Sequence, residues 1–297
     1  MKKIGVALSG GSALGIVHIG IMQAFRDDGL AVDCIAGTSA GSVVAACYAF
    51  GVPMEEVAKA ARKINWFKLS RMSYSVTGLA SNAVIGETMI ALIGRDARIE
   101  DADIPLAIVA ADISTGEKIV FRSGSVANAV MASTCIPGLF APVSFENRLL
   151  VDGGLVENLP IAELPGMGAE ITIGVNLERW RSYKRPRHAV GVLVNSMDIM
   201  VQHQSILHGA AASVIIEPHL EKYTSSAWDK ADELIAEGGK AAQIALPGIR
   251  KLAGVRRARR GAKAANPAWY ARPWRWLAKL FGNSRHVTLN SKGRSTR

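Results

Sequence analysis

The first fifty residues contain two successive units in which an apolar run leads through a glycine-rich turn into a helix-like segment. Residues 3–8 end at the turn Ser9-Gly10-Gly11-Ser12, and residues 16–25 then have helical character. Residues 32–36 end at Gly37-Thr38-Ser39-Ala40-Gly41 and lead into the small-residue segment 42–50. Because repeated strand-to-helix units produce parallel strands covered by helices, the sequence predicts an α/β fold with a mainly parallel central sheet.

Patterns of the same kinds continue to about residue 245. Short apolar runs predict strands, and longer periodic segments predict helices. The predicted strands are residues 106–110, 118–121, 149–151, 170–175 and 214–217, and the predicted helices are residues 84–93, 125–135, 192–208 and 229–243. We therefore expect one α/β domain over residues 1–245 and a separate tail over residues 246–297. Residues 65–81 show no clean period, and they form either a lid or a long surface connection.

The tail differs from the rest of the chain in its charge. The net charge of the whole chain is +10, but residues 246–297 contain 14 Lys and Arg and no Asp or Glu. Residues 1–245 therefore hold 21 basic residues and all 25 acids, which gives that part a net charge of −4. A block of one charge sign is typical of a tail that binds a partner.

Aromatic residues accompany the positive charge of the tail. Trp274, Leu277 and Phe281 recur at helical spacing, and Arg275 and Lys279 lie away from that stripe. Rings at headgroup depth and cations on anionic lipid are typical of a segment that lies in a membrane interface. The cations are also compatible with binding of nucleic acid, or with an extension that only aids solubility. The aromatic content favours peripheral contact with a membrane.

Neither the cysteines nor the start of the chain indicates export. Cys34, Cys47 and Cys135 form a sparse, odd set without CxxC spacing, which favours a reducing compartment and hence the cytoplasm. Two lysines precede the first apolar run, but glycine and serine interrupt that run after Leu8 and no A-x-A cleavage pattern follows. The uncharged stretches 4–25 and 34–54 also contain Gly/Ser clusters where a membrane-spanning helix would be continuous. We expect a cytoplasmic protein that makes peripheral contact at the inner face of the membrane.

Residues 37–41 fit the pattern G-x-S-x-G. In this pattern a serine lies on a tight turn between a strand and a helix, and glycines allow the strained backbone that exposes its hydroxyl. Gly37 and Gly41 would then form the nucleophile elbow, with Ser39 as the nucleophile. The alternative is an ordinary glycine-rich turn whose serine caps the following helix.

The earlier glycine loop offers groups that stabilise a negative charge. Gly10, Gly11 and Ser12 follow a predicted strand and begin a helix, where backbone N–H groups are free and the helix dipole favours anions. Such a loop holds either an oxyanion or a phosphate. It contains no P-loop lysine, and Ser12 stands where a dinucleotide fingerprint has its second glycine, so we expect no nucleotide cofactor.

A carboxylate, Asp152, ends another apolar run and is followed by Gly153 and Gly154. If the fold brings Asp152 within hydrogen-bond reach of Ser39, it can act as general base and then as the acid that protonates the leaving group. By itself a D-G-G sequence is often only a turn.

Taken together and in this order, these motifs resemble those of the bacterial patatin-like phospholipases. The resemblance extends over about residues 3–220 and includes the further motifs Ser114-Thr115-Gly116-Glu117, Ala132-Ser133-Thr134-Cys135-Ile136-Pro137-Gly138 and Asn158-Leu159-Pro160. It implies a three-layer α/β/α fold and a Ser-Asp dyad of Ser39 and Asp152, with the backbone of residues 10–12 as oxyanion hole. It also implies hydrolysis of carboxylic esters in phospholipids or lysolipids through an acyl-enzyme, with a lipid ester as partner and without a metal or other cofactor.

Two departures from the family loop pattern G-G-G-x-R/K-G bear on this expectation. Ser12 replaces the third glycine, and Leu14 replaces the basic residue. Backbone donors survive the first change if the backbone conformation is accessible to serine, whereas the second removes a cation that would aid anion stabilisation or headgroup recognition. A catalytically weak or inactive regulator that keeps the hydrolase fold is therefore one alternative.

The histidines provide a second alternative. His219 follows a predicted strand and could complete a Ser-Asp-His triad, as in ordinary α/β-hydrolases. His18 lies in the first predicted helix, where a packed or capping role is expected. His203 and His208 are five residues apart, which does not place them on one helix face as a metal pair, and we propose no metal site.

Overall fold

The computed structural model describes residues 2–63, 71–72, 78–179, 183, 185–187 and 189–254. Most of segment 65–81 and all of the tail beyond residue 254 lie outside the described residues, so the lid and the interfacial tail stay predictions. The chain divides into two compact units, Met1–Ala265 and Asn266–Arg297. The elements that follow belong to the first unit.

The described elements alternate between strands and helices along most of the chain. The strands are β1 (Ile4–Leu8), β2 (Cys34–Thr38), β3 (Arg71–Met72), β4 (Gly78–Ser81), β5 (Leu106–Asp112), β6 (Lys118–Phe121), β7 (Gly138–Phe140), β8 (Val143–Phe145), β9 (Arg148–Asp152), β10 (Ile171–Val175) and β11 (Val214–Ile216). The helices are α1 (Val17–Asp27), α2 (Ala40–Ala49), α3 (Met54–Lys63), α4 (Ala83–Ile93), α5 (Val126–Ser133), α6 (Gly154–Glu157), α7 (Glu163–Gly166), α8 (Ala189–Gly209) and α9 (Ala231–Ala253). Short 3-10 helices span Ser12–Ile16, Ile99–Asp101 and Trp228–Lys230.

The main sheet has the strand order β11-β10-β1-β2-β5-β9-β8, and β6 pairs with β5. The strands from β11 to β5 are parallel, whereas β6, β8 and β9 run antiparallel to their partners. Every residue of β1, β2, β5 and β10 is buried, as expected for strands covered by helices on both faces. The predicted three-layer α/β fold with a mainly parallel sheet is confirmed.

The register of the sheet brings two chain segments together at one point. Thr38, the last residue of β2, pairs with Val109 of β5. Asp152, the last residue of β9, pairs with the next residue of β5, Ala110. Strands β2 and β9 lie end to end along the same edge of β5 and run towards each other. The residue that follows Thr38 must therefore lie beside Asp152. That residue is Ser39.

The last described helix packs tightly on the first one. A Cβ atom at Gly20 of α1 would overlap the carbonyl oxygen of Ile235, and one at Gly238 of α9 would overlap that of Val17. Ile249, near the end of α9, is fully buried. Since α9 runs to Ala253 with a buried face, the folded structure continues past residue 245, where we placed the end of the domain.

Candidate active site

Ser39 lies on a sharp turn between β2 and α2, and its backbone has φ 51° and ψ −127°. A non-glycine residue rarely adopts this conformation, and it costs roughly 1–3 kcal/mol. Glycine is required at both flanking positions because other backbone atoms lie too close to leave room for a side chain. A Cβ atom at Gly37 would lie 2.6 Å from the carbonyl oxygen of Gly41, and one at Gly41 would overlap that of Leu8.

Hydrogen bonds hold this strained turn in place. The Ser39 N–H donates to Ser133 Oγ (2.8 Å), and that hydroxyl donates to the carbonyl oxygen of Val109 (2.6 Å). Thr38 Oγ1 donates to the carbonyl oxygen of Glu157 (2.8 Å), which ties the end of β2 to helix α6. These bonds link the turn to β5 and to the helix that follows Asp152, so the surrounding fold fixes the position of the Ser39 side chain.

The Ser39 hydroxyl donates to the Asp152 carboxylate, with 2.6 Å between Oγ and Oδ2. The other carboxylate oxygen, Oδ1, accepts the Gly154 N–H at 2.8 Å. Both side chains are largely buried. The Gly154 amide therefore orients the carboxylate while the carboxylate accepts the hydrogen bond of the serine hydroxyl, a geometry compatible with a general base.

Burial raises the pKa of Asp152 to about 6. The nearby carboxylate of Asp198 raises this pKa further, whereas the hydrogen bonds from Ser39 and from the Gly154 N–H lower it. At pH 7 most of the Asp152 carboxylate is ionised, yet it is a stronger base than an exposed aspartate.

The glycine loop does not offer all of its amides equally. The Gly10 N–H already donates to Asn158, at 3.1 Å to Oδ1 and 3.2 Å to the backbone oxygen. The N–H groups of Gly11 and Ser12 have no acceptor among the described residues. Both residues line the same pocket as Ser39, and Ser12 keeps a positive φ of 53°. Of the three predicted oxyanion-hole residues, Gly11 and Ser12 thus have free donors, whereas Gly10 anchors the loop to Asn158.

Ser39 lies where two pockets meet. The first, of about 440 Å³, contains the carboxylates of Asp152, Asp198 and Glu178 in an otherwise largely apolar wall. The second is mostly apolar, and it is lined by one stripe of helix α4, Ile85, Thr88, Met89 and Leu92, together with residues of the 3-10 helix at Ser12–Ile16 and of α1, α2 and α3. The spacing i, i+3, i+4 and i+7 on α4 makes that wall continuous over two turns of helix. The arrangement suits a substrate with its reactive centre at Ser39 and an apolar arm in the second pocket.

Neither His219 nor His18 lines either of the two pockets. The side chain of His219 is 73% exposed, and its Nδ1 lies 3.5 Å from Glu221. His18 is fully buried beneath the glycine loop, where its Nε2 lies 2.8 Å from the carbonyl oxygen of Ser9, and burial lowers its pKa to about 4. His18 therefore packs as a neutral side chain, and this geometry favours the dyad over the triad.

Sequence reasoning singled out neither Ser133, Asn158 nor Asp198 for a role at this site. Ser133 and Asn158 lie in motifs that carried the family resemblance, so a signal for them was present in the sequence. Asp198 lies on a helix with no local motif, and only the fold places it in the pocket. In the described part of the chain, no group of three or more His, Cys, Asp or Glu residues is placed to hold a metal ion, and no helix is long and apolar enough to cross a membrane.

Comparison with known proteins gives a consistent result. The family model described as patatin-like phospholipase matches residues 6–165. An uncharacterized NTE family protein of Mycobacterium tuberculosis is 33% identical over 214 residues, which cover 71% of this chain and 59% of that protein. Lysophospholipase NTE1 of Yarrowia lipolytica is 32% identical over 181 residues, 59% of this chain and 13% of that protein. The chain thus spans less than two thirds of the length of these relatives. In fold it is similar to VipD from Legionella pneumophila, with a TM-score of 0.57 at 15% identity over 83% of this chain and 67% of that one.

Proposed function

This chain belongs to the patatin-like phospholipase family, and on that basis we propose that it is a serine acyl hydrolase acting on carboxylic esters of phospholipids or lysolipids. The observation that carries the proposal is the hydrogen bond from Ser39 to Asp152, 2.6 Å long, at the junction of two pockets with largely apolar walls.

The reaction would proceed in two stages. Asp152 accepts the proton of Ser39 as Oγ attacks the ester carbonyl, and the N–H groups of Gly11 and Ser12 donate to the oxyanion. The tetrahedral intermediate collapses as protonated Asp152 gives its proton to the leaving alcohol. A water molecule, deprotonated by Asp152, then attacks the acyl-enzyme. Protonated Asp152 returns this proton to Ser39 Oγ as the fatty acid is released, which restores both side chains.

The two pockets indicate how the substrate is oriented. The apolar pocket would take the acyl chain, since burial of each CH₂ group there gains about 0.8 kcal/mol. The leaving alcohol would occupy the first pocket, beside Asp152. The name of the Yarrowia lipolytica relative, a lysophospholipase, agrees with a lipid that presents a single acyl chain to the serine.

The test is hydrolysis of p-nitrophenyl esters of increasing acyl length, followed by phospholipid and lysophospholipid substrates. We expect activity that rises with chain length and that Ser39→Ala lowers by at least about a thousandfold. Ser196→Ala is the matched control, because Ser196 is exposed, lines neither pocket and donates its hydroxyl to the backbone oxygen of Val192. Activity that Ser39→Ala leaves unchanged would contradict the proposal. No activity on any of the esters would favour the regulator alternative.

The predicted peripheral contact through the basic, aromatic tail and the cytoplasmic location remain predictions. The tail beyond residue 254 lies outside the described residues.

A further inference from the structure

Helix α8 presents a large apolar surface to solvent. Its outer face, which we define by six residues, is exposed along the whole helix: Val192, Leu193, Ile199, Met200, Ile206 and Leu207. Met200 is 57% exposed and Leu207 is 75% exposed. Exposed apolar residues that form one contiguous face mark interaction surfaces far more often than scattered ones do.

The six residues form a single stripe because they are pairs of neighbours repeated every seven positions. Only two polar residues, Ser196 and His203, share the exposed side of the helix between these pairs. The opposite side of the same helix lines the first pocket of the candidate active site through Val194, Asp198 and Val201. One helix therefore has the candidate active site on one side and an apolar outer face on the other.

The exposed charged residues that the structure describes nearest to α8 along the chain are arginines. Arg185 and Arg187 are exposed directly before α8. Along α8 the only Lys, Arg, Asp or Glu is Asp198, which lies on the pocket side. An apolar helix face that bears no carboxylate and is preceded in the chain by two exposed arginines complements an anionic lipid surface.

We propose that the outer face of α8, together with Arg185 and Arg187, docks on the surface of an anionic membrane. The inference rests on the proposed function, because a lipid ester must leave the membrane to reach Ser39, and α8 is shared between the docking face and the pocket. With no helix in the described residues able to span a bilayer, α8 would lie in the plane of the interface.

A second copy of the chain is the main competing occupant of this face. Seven-residue spacing is also the repeat of a coiled coil, but coiled-coil seams are normally flanked by paired Glu and Lys residues that set partner and register. The exposed side of α8 carries no Lys, Arg, Asp or Glu, so nothing on it specifies such pairing. The arginines beside it match anionic headgroups instead.

The test uses the full chain and compares two double variants by sedimentation with vesicles of phosphatidylcholine containing phosphatidylglycerol. Met200→Glu/Leu207→Glu places two charges on the outer face of α8. Ile244→Glu/Leu252→Glu is the matched control, since both residues are exposed apolar side chains of α9, 80% and 46% exposed. We expect the α8 variant to weaken vesicle binding at least about tenfold and the control to leave it unchanged.

The arginines supply a second, independent variant. Arg185→Ala/Arg187→Ala should weaken binding to the anionic vesicles by about fivefold for each arginine, and should have little effect with pure phosphatidylcholine. Thermal unfolding of every variant reports whether the fold is retained. If the α8 variant does not fold, the arginine pair still tests the proposal.

The outcomes separate the docking surface from the proposed function. If neither the α8 variant nor the arginine variant changes vesicle binding, the docking surface is overturned. It is also overturned if light scattering shows a wild-type dimer that Met200→Glu/Leu207→Glu dissociates while vesicle binding stays unchanged. Hydrolysis of a soluble short-chain ester should be the same in all these variants. A wild-type protein that binds vesicles through α8 but cleaves no ester would refute the proposed function and leave the docking surface supported.

Discussion

Replacing Asp152 by asparagine should stabilise the fold at neutral pH while it removes the base. Asp152 is buried and its pKa is raised to about 6, mainly by burial, whereas the pKa of an aspartate in an unfolded chain is about 3.9. The folded protein therefore binds the Asp152 proton more tightly than the unfolded chain does. Ionisation of this carboxylate lowers the free energy of unfolding as the pH rises from about 4 to about 6, and the full loss is present above pH 6.

The loss is about 3 kcal/mol, because the two pKa values differ by about 2 units and each unit corresponds to 1.36 kcal/mol. Asparagine has nearly the same shape and does not ionise. Its carbonyl oxygen can accept the Gly154 N–H as Asp152 Oδ1 does, and its amide can face Ser39 Oγ. Asp152→Asn should thus raise the free energy of unfolding by up to about 3 kcal/mol at pH 8 and change it little at pH 4.

Urea unfolding of both proteins from pH 4 to pH 8, followed by tryptophan fluorescence, measures this difference. Asp112→Asn is the matched control, and its effect on the free energy of unfolding should have the opposite sign. The Ser114 N–H bonds to the Asp112 carboxylate and Arg148 pairs with it, and these interactions lower its pKa, so this variant should lose stability at neutral pH. An Asp152→Asn protein that is less stable than wild type at pH 8, or whose gain does not depend on pH, would refute the reasoning.

Three further predictions concern catalysis. With a pKa of about 6 for Asp152, kcat/KM should fall about tenfold from pH 7 to pH 5. Asp198→Asn removes a nearby negative charge, so in this variant the fall in kcat/KM should occur at lower pH. Ser133→Ala should lower kcat by roughly tenfold or more with little change in KM, since it frees the Ser39 N–H, and single-turnover kinetics would check the split. Ala60→Phe should fill part of the apolar pocket, so that hydrolysis of long-chain esters falls relative to p-nitrophenyl acetate.

The local part of the fold could be predicted from the sequence because the signals are local. The apolar runs and glycine turns of the first fifty residues predict β1, β2 and α2, and each occurs with its ends within two residues of the predicted position. Helix α3 was not predicted, although its first turn contains Glu55 and Glu56 and its last turn contains Arg62 and Lys63. That charge order favours a helix and was an available signal.

The non-local part could not be predicted in the same way. The sequence shows Asp152 at the end of an apolar run, but only the pairing of β9 with β5 at Ala110 brings it to Ser39. Likewise, the predicted helix over residues 229–243 ends ten residues early, before Pro247 and Gly248, because the packing that extends α9 comes from α1 at the other end of the domain. Residues that act through tertiary contacts carry no pattern of their own.

The two departures from the family loop are explained by where their side chains lie. Leu14 is fully buried and lines neither pocket, so a cation at this position would have to be buried in the core of this chain at a considerable energetic cost. The described residues that line the two pockets include no Lys, Arg or His. Among the described residues, the groups that face negative charge developing at Ser39 are backbone amides. Ser12 can serve in this way because the loop holds it at a φ of 53°, the conformation that a glycine would adopt there, and its N–H remains free for the oxyanion.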